Sequence, residues 1–332
     1  MVNRQRETSL TVSQWPLLVV FSVLLPLLVG VANSGERPVY GTDDRQEWDK
    51  ADARICAVGR ATAAIMPKAS FAPQDGRWAW RLIEDHTLAD SNWCDDERFA
   101  QQPDLATCTA FLIGPSRVVT AAHCINAKGD SNILAFDCEE VLFVFDYEIM
   151  DDGEVRRQYQ SNQIYTCHSI VHHNGQDGPA DWAVIELDRA TGRSPVALYT
   201  GNLKSVSSEP LEIIGHPLGL PLKWVRNGRM VSASSDTFLA AIDAFEGNSG
   251  SPVFIRKDGV PTVVGMLSRG VRDYKTPVKT CLRTQVCNGK ECAGESVTRA
   301  SQFAYLSTDV PGSMLASVDV LDLSVSGRAA CL

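Results

Sequence analysis

An all-β fold follows from three observations. Short apolar runs recur along the chain with Gly, Pro, Asn and Asp between them. No heptad, internal repeat or long low-complexity tract interrupts that rhythm. The chain beyond its N-terminal apolar run, about 300 residues, exceeds one typical domain yet fits a single two-lobed β body with insertions. The candidate strands are Thr109–Ile113, Val141–Phe145, Ala183–Leu187, Leu211–Ile214 and Val263–Leu267. The two lobes are expected to meet near residues 190–205.

From the N-terminus, residues 1–14 are polar and carry Arg4 and Arg6, and an apolar run from Pro16 to Val31 follows, broken at Pro26. A positive start, a short apolar core and then small residues form the pattern of a secretory signal over residues 1–34, with Gly30, Ala32 and Ser34 suiting cleavage near Ala32 or Ser34. The run is short for a membrane span, so no stable span is expected after cleavage; an uncleaved anchor is the competing reading. Residues 35–54 read as a short pro-segment or linker without a clear processing site. The formal charge of −9, with no basic patch, argues against a nucleic-acid partner. Ten cysteines, an even number in an exported chain, imply disulfides and a secreted or periplasmic location. A monomer is the default expectation.

Chemistry concentrates in three stretches. In Gly247-Asn248-Ser249-Gly250-Ser251-Pro252, between two apolar runs, small residues allow backbone angles that larger side chains forbid. The amides of Gly247 and Ser249 can then converge beside the Ser249 hydroxyl, which is the arrangement a nucleophile with an oxyanion hole needs. The plainer reading is a Gly/Ser/Asn turn between strands, and a serine acts only with a base. Val118-Val119-Thr120-Ala121-Ala122-His123-Cys124 offers one, an imidazole at a strand end beside a cysteine. A carboxylate must orient that imidazole, and Asp181, just before the apolar run Trp182-Ala183-Val184-Ile185, is the leading choice. Asp177, in a Gly-rich loop, and Asp188, at a polar strand exit, rank below it.

Together these stretches resemble the chymotrypsin-like serine peptidases. Thr120-Ala121-Ala122-His123-Cys124 matches the family's histidine motif, Asp181-Trp182-Ala183 its aspartate motif with Trp for a smaller residue, and Gly247 to Pro252 its serine motif, all in the family's chain order. The variant Gly-Asn-Ser-Gly-Ser-Pro is similar to the bacterial branch that includes the glutamyl endopeptidases, and Gly215-His216-Pro217-Leu218-Gly219-Leu220-Pro221 also resembles bacterial members. The likeness covers roughly residues 55–310. It implies two packed six-stranded antiparallel β-barrels, about 55–195 and 200–320, within a peptidase domain spanning 55–332, with the active site in the cleft between them. It further implies a Cys108–Cys124 disulfide, protein or peptide substrates, and no cofactor or metal.

Under that resemblance His123 takes the Ser249 proton, Gly247 and Ser249 hold the oxyanion, and Asp181 stays ionised. Ser268, in Leu267-Ser268-Arg269-Gly270, matches the strand lining the substrate channel; its hydroxyl is expected to support Asp181 and its carbonyl to pair with substrate. Asp243 falls where trypsin-like members place the pocket floor that accepts Arg or Lys, so a basic preference is expected, with Gly270 on the opposite wall. Asp243 could instead cap backbone, and Arg269 could neutralise it. Glutamyl specificity is not expected, because Leu267 stands where that group's acid-reading histidine falls. Asn248 replaces the aspartate of the trypsin-like activation switch, so another device must order the oxyanion hole. The rival from another class is a catalytically silent homologue that binds a protein partner. An esterase is disfavoured by the absence of a Gly-x-Ser-x-Gly elbow and by the chain order.

Other clusters read as structural. Cys281, Cys287 and Cys292, with Cys331, suggest loop disulfides over zinc, since no His lies nearby. His168, His172 and His173 are taken as surface or packing residues. The acidic group from Asp146 to Glu154 lacks the spaced pattern of a calcium loop, and Asp151-Asp152-Gly153 reads as a hairpin turn.

Overall fold

The computed structural model describes residues 39–80, 86–126, 136–174, 180–270, 274–275, 281–287 and 294–307. The expected signal over 1–34 lies outside the described residues, as do Asp177, Cys292 and Cys331.

Two barrels are built from twelve principal strands. The first uses β1 (Thr62–Pro67), β2 (Cys108–Leu112), β3 (Arg117–Thr120), β4 (Val141–Phe145), β5 (Ile164–Asn174) and β6 (Trp182–Leu187). They pair antiparallel in the order β4-β5-β6-β3-β2-β1, and β1 returns to β4 to close the barrel. The second uses β7 (Leu211–Gly215), β8 (Lys223–Ala233), β9 (Thr237–Ala241), β10 (Pro252–Lys257), β11 (Val260–Arg269) and β12 (Glu295–Arg299). Its order β7-β10-β11-β12-β9-β8 closes through β8 with β7. The expected fold class is thus present, with one short α-helix, Cys56–Arg60, among the described residues.

The strand pattern explains the closure. Val141-Leu142-Phe143-Val144-Phe145 is buried throughout and alternates between two cores. Val141, Phe143 and Phe145 face the barrel interior, while Leu142 and Val144 pack with Phe71, Trp80 and Tyr159 under a small outer sheet. That sheet pairs Phe71–Gln74, Arg77–Trp80 and Gln158–Tyr159. Pro252 sits at the first position of β10, where its missing N–H costs the ladder least.

Residues 196–199 bond to strands of both barrels. Val196 donates its N–H to Leu112 of β2, and Tyr199 donates to Val263 of β11. Beyond β12 the chain turns back onto the first barrel, where buried Phe303 meets Phe111 and Trp182 edge-on or tilted.

Residues 39–54, within the segment anticipated as pro-segment or linker, pack into the folded body. Val39 and Trp48 are buried, and Gln46–Glu47 adds a strand to β8. Arg45 is 1% exposed and stacks over Phe245, 3.9 Å from the ring centre. Buried Lys223 bonds to Glu47, Gln102 and the Pro221 carbonyl, and burial pulls its pKa down to about 8.

Three cysteine pairs are placed in full. Cys108–Cys124 joins β2 to the turn after β3, as expected. Cys138–Cys167 ties β5 to the approach to β4, and Cys94–Cys281 reaches across 187 residues of chain. Cys56 and Cys287 are also disulfide-bonded. Pairing of Cys281 and Cys287 as disulfides removes their thiolates from any zinc site. His172 stacks on Trp182 at 5.0 Å, and His168, His172 and His173 lie exposed on β5. Asp146 is held by Arg60, Arg193 and Gln163, and a turn closes over Asp151–Gly153, with Met150 donating to Glu154.

Candidate active site

His123 is mounted in the single turn Ala122–Cys124 that ends β3, with its neighbour Cys124 crosslinked to β2. Asp181 immediately precedes β6, which pairs with β3, so the pairing brings the two residues together. The contact is two-pronged. His123 N–H donates to Asp181 Oδ1 at 3.1 Å, and His123 Nδ1 lies 2.7 Å from Oδ2. A carboxylate only accepts, so Nδ1 carries the proton and Nε2 is left as the acceptor. Asp181 is 1% exposed while the His123 ring is one-third exposed, which leaves its outer edge open to substrate.

Ser249 is half-buried, and its carbonyl accepts the Thr109 N–H at 2.8 Å and lies 3.9 Å from Cys124 Sγ. The serine loop is thereby fastened to the disulfide that carries His123. Two glycines make the loop possible. Gly247 has φ +87°, and a Cβ there would meet the His216 carbonyl at 2.4 Å. Gly250 has φ +91°, and its Cβ would fall 1.8 Å from the Thr109 carbonyl. The buried Asn248 side chain accepts from Ser251 Oγ at 3.3 Å.

Two expected contacts are corrected. Ser268 Oγ donates to the Ser296 carbonyl at 3.1 Å, so the second partner of the Asp181 carboxylate is instead Arg269, whose Nε lies 3.3 Å from Oδ2. Neighbouring residues on a strand face opposite ways, so Arg269 reaches the carboxylate when Ser268 does not. Arg269 is therefore engaged with Asp181 rather than with Asp243. The rival Asp188 accepts the Thr166 N–H and pairs with Arg189.

Asp243 is 3% exposed and caps backbone: Oδ1 accepts the Tyr40 N–H at 2.7 Å and Oδ2 the Asp44 N–H at 3.0 Å. Burial pushes its pKa up, and burial followed by the Asp243 charge raises Asp44 to about 7. Tyr40 also reaches, through its hydroxyl, to within 3.4 Å of Glu295 Oε1. Glu295 is fully buried, and its other oxygen lies 3.0 Å from where a Gly270 Cβ would be. Glu295 therefore lies against Gly270, the residue that follows β11.

Sequence reasoning missed Thr109, Arg269 and Glu295. Thr109 and Glu295 act through pairings across more than a hundred residues, which no local pattern reveals. The sequence offers Arg269 as a cation that could neutralise Asp243, not as a partner of Asp181. The described His/Cys/Asp/Glu residues close enough to share a metal are Cys108, His123 and Cys124, and the disulfide takes both sulfurs.

Residues 108–266 match the family described as "Trypsin-like peptidase domain". The chain is 24% identical over 155 residues to the glutamyl endopeptidase of Bacillus licheniformis, covering 45% of this chain. The match spans about half the length of that relative, 46%. A solved structure of Glu endopeptidase in complex with MPD is 17% identical, with a TM-score of 0.45, over 81% of this chain and 96% of that one.

Proposed function

The chain belongs to the chymotrypsin/trypsin-like serine peptidases, and from that premise we propose that it is an exported endopeptidase with Ser249 as nucleophile, His123 as base and Asp181 as orienting acid. The observation that carries this reading is the two-pronged grip of Asp181 on His123, at 2.7 Å and 3.1 Å. It presents Nε2, the nitrogen without a proton, as the acceptor.

In the proposed reaction His123 Nε2 removes the hydroxyl proton as Ser249 Oγ attacks a peptide carbonyl. The Gly247 and Ser249 amides receive the oxyanion. The protonated ring, its charge balanced by Asp181, then gives that proton to the leaving amine, and water cleaves the acyl-enzyme by the same exchange in reverse. Arg269 Nε, 3.3 Å from Asp181 Oδ2, adds a second contact to the oxygen that faces His123 Nδ1. Export is supported by the disulfides. No helix among the described residues is long and apolar enough to cross a membrane.

For the side chain before the scissile bond the proposed preference is Arg or Lys, from the chain position of Asp243; against it, both Asp243 oxygens already accept the Tyr40 and Asp44 N–H groups. A glutamyl preference is the second reading, favoured by the name of the Bacillus licheniformis relative. Leu267, buried on β11, supplies no cation for such a substrate.

The test is fluorophosphonate labelling of the mature protein, wild type beside Ser249→Ala, followed by peptides differing only in that side chain. Labelling lost in the variant, with turnover down on the order of ten-thousand-fold or more, is the expected result. Inertness of folded wild-type protein would favour the silent binding homologue. Cleavage after Glu in preference to Arg or Lys would replace the proposed specificity by the second reading.

A further inference from the structure

Asn248 is neutral, so no ion pair at that position can hold the serine loop in its working shape. The loop is nevertheless pinned peptide by peptide. In a planar trans peptide the C=O and N–H point opposite ways, so anchoring the carbonyl aims the amide. The Glu246 carbonyl accepts the Leu218 N–H at 2.5 Å, which turns the Gly247 N–H away from the Gly215–Gly219 loop. The Asn248 carbonyl accepts the Ser251 N–H at 2.9 Å, which in the same way aims the Ser249 N–H. The Gly247 and Ser249 carbonyls both go to one residue. Thr109 Oγ1 donates to the Gly247 carbonyl at 2.9 Å, and Thr109 N–H donates to the Ser249 carbonyl at 2.8 Å.

We propose that Thr109 is the positioning residue that presets the oxyanion hole, holding the carbonyls of the two residues whose amides form it. This inference rests on Ser249 being the nucleophile. Thr109 is fully buried at the second position of β2 and serves three parts of the site at once. Its Oγ1 accepts the His216 N–H at 3.2 Å, tying in the loop that anchors Glu246. Its own carbonyl accepts Thr120 Oγ1 at 2.7 Å, on the strand that leads to His123. Gly250 runs against that same carbonyl.

Removing the hydroxyl leaves the buried Gly247 carbonyl without this donor and the His216 N–H without its acceptor. The cheapest relief is rotation of the Gly247–Asn248 peptide, because a glycine accepts the new angles. Loss of the His216 contact also loosens the loop whose Leu218 N–H anchors the Glu246 carbonyl, so the Glu246–Gly247 peptide and its Gly247 N–H shift. The place of that amide matters more to the charged oxyanion than to the neutral ground-state carbonyl.

The experiment compares wild type with Thr109→Val, Thr109→Ser and Thr109→Ala, using kcat and KM on one peptide substrate and the affinity of a matching peptide aldehyde, whose adduct carries the oxyanion. Since removal of a whole oxyanion donor costs roughly a hundred- to thousandfold, Thr109→Val should lower kcat about ten- to hundredfold. Aldehyde affinity should fall by a similar factor, KM should change less than about threefold, and Thr109→Ser should recover most of the loss. If Thr109→Val does not fold, Ser against Ala, both lacking the methyl, isolates the hydroxyl. Unchanged kcat and aldehyde affinity in a folded variant, or losses shared equally by kcat, KM and thermal stability with no recovery in Ser, would overturn the proposal alone. Wild-type protein inert to fluorophosphonate would overturn the nucleophile reading and this inference with it.

Discussion

Gly250 is the residue at which the backbone has least choice. Its φ of +91° disfavours any side chain, and the Thr109 carbonyl 1.8 Å from a notional Cβ leaves no room for one. Its N–H also donates to Leu267 on β11, so the position cannot drift without breaking that bond. Gly250→Ala should therefore destabilise the fold by about 3 kcal/mol or more, as strain and displaced contacts add. Urea unfolding of the variant against wild type would read this, and a loss below about 1 kcal/mol would mean that the loop yields more easily than its contacts imply. At this scale the sequence was informative about His123, Asp181 and the serine loop, where small residues and a flanking cysteine crowd together. It was silent about Thr109, whose value lies in what two distant carbonyls need.

Among the elements, the Gly215–Pro221 stretch does more than join β7 to β8. It presents the Leu218 N–H to Glu246 and stacks the buried His216 ring on Tyr147 at 5.4 Å. Burial, foremost, brings the His216 pKa down to about 3 from 6.5; the contact of Nδ1 with the Leu220 carbonyl opposes that shift, and the Lys223 charge adds to it. Between those two values the unfolded chain binds more protons than the folded one, so stability falls as pH drops through 6.5 toward 3. The slope contributed is up to about 1.4 kcal/mol per pH unit. His216→Gln should be less stable than wild type at pH 7, and the gap should narrow by pH 4, as followed by denaturant midpoints along that series. Parallel pH profiles for the two proteins would exclude His216 as a source of acid sensitivity. The sequence marked this stretch through its resemblance to bacterial members, but its role as a prop for the serine loop depends on β7 running beside β10.

For the whole molecule, long-range ties set the stability of the outlying segments. Cys94–Cys281 fastens the insertion that carries Leu88 and Trp93 to the 281–287 segment, where Trp93 pairs with Leu282 and Leu88 and Trp93 pack with Leu220. A crosslink spanning 187 residues removes much freedom from the unfolded chain. Replacing both cysteines by serine should then cost about 2–5 kcal/mol. Thermal and denaturant unfolding measure the loss; no change would mean that the insertion is held by its apolar contacts alone.

What the sequence determined by itself is whatever short-range pattern controls. Alternating and continuous apolar runs specified strands close to their observed limits, Val141–Phe145 to the residue. Clustered small residues marked the serine loop, and the Cys108–Cys124 spacing, read through family resemblance, marked the crosslink beside His123. Tertiary structure alone decided which side chains meet across barrels. It gave Arg269 rather than Ser268 to Asp181, used both Asp243 oxygens to hold the Tyr40–Asp44 backbone, buried Glu295 behind Gly270, and set Thr109 under two loop carbonyls. The physical reason is that hydrogen bonds act over about 3 Å of space, whatever the separation along the chain. Pattern selects the strand, whereas closure of the barrels selects the neighbour.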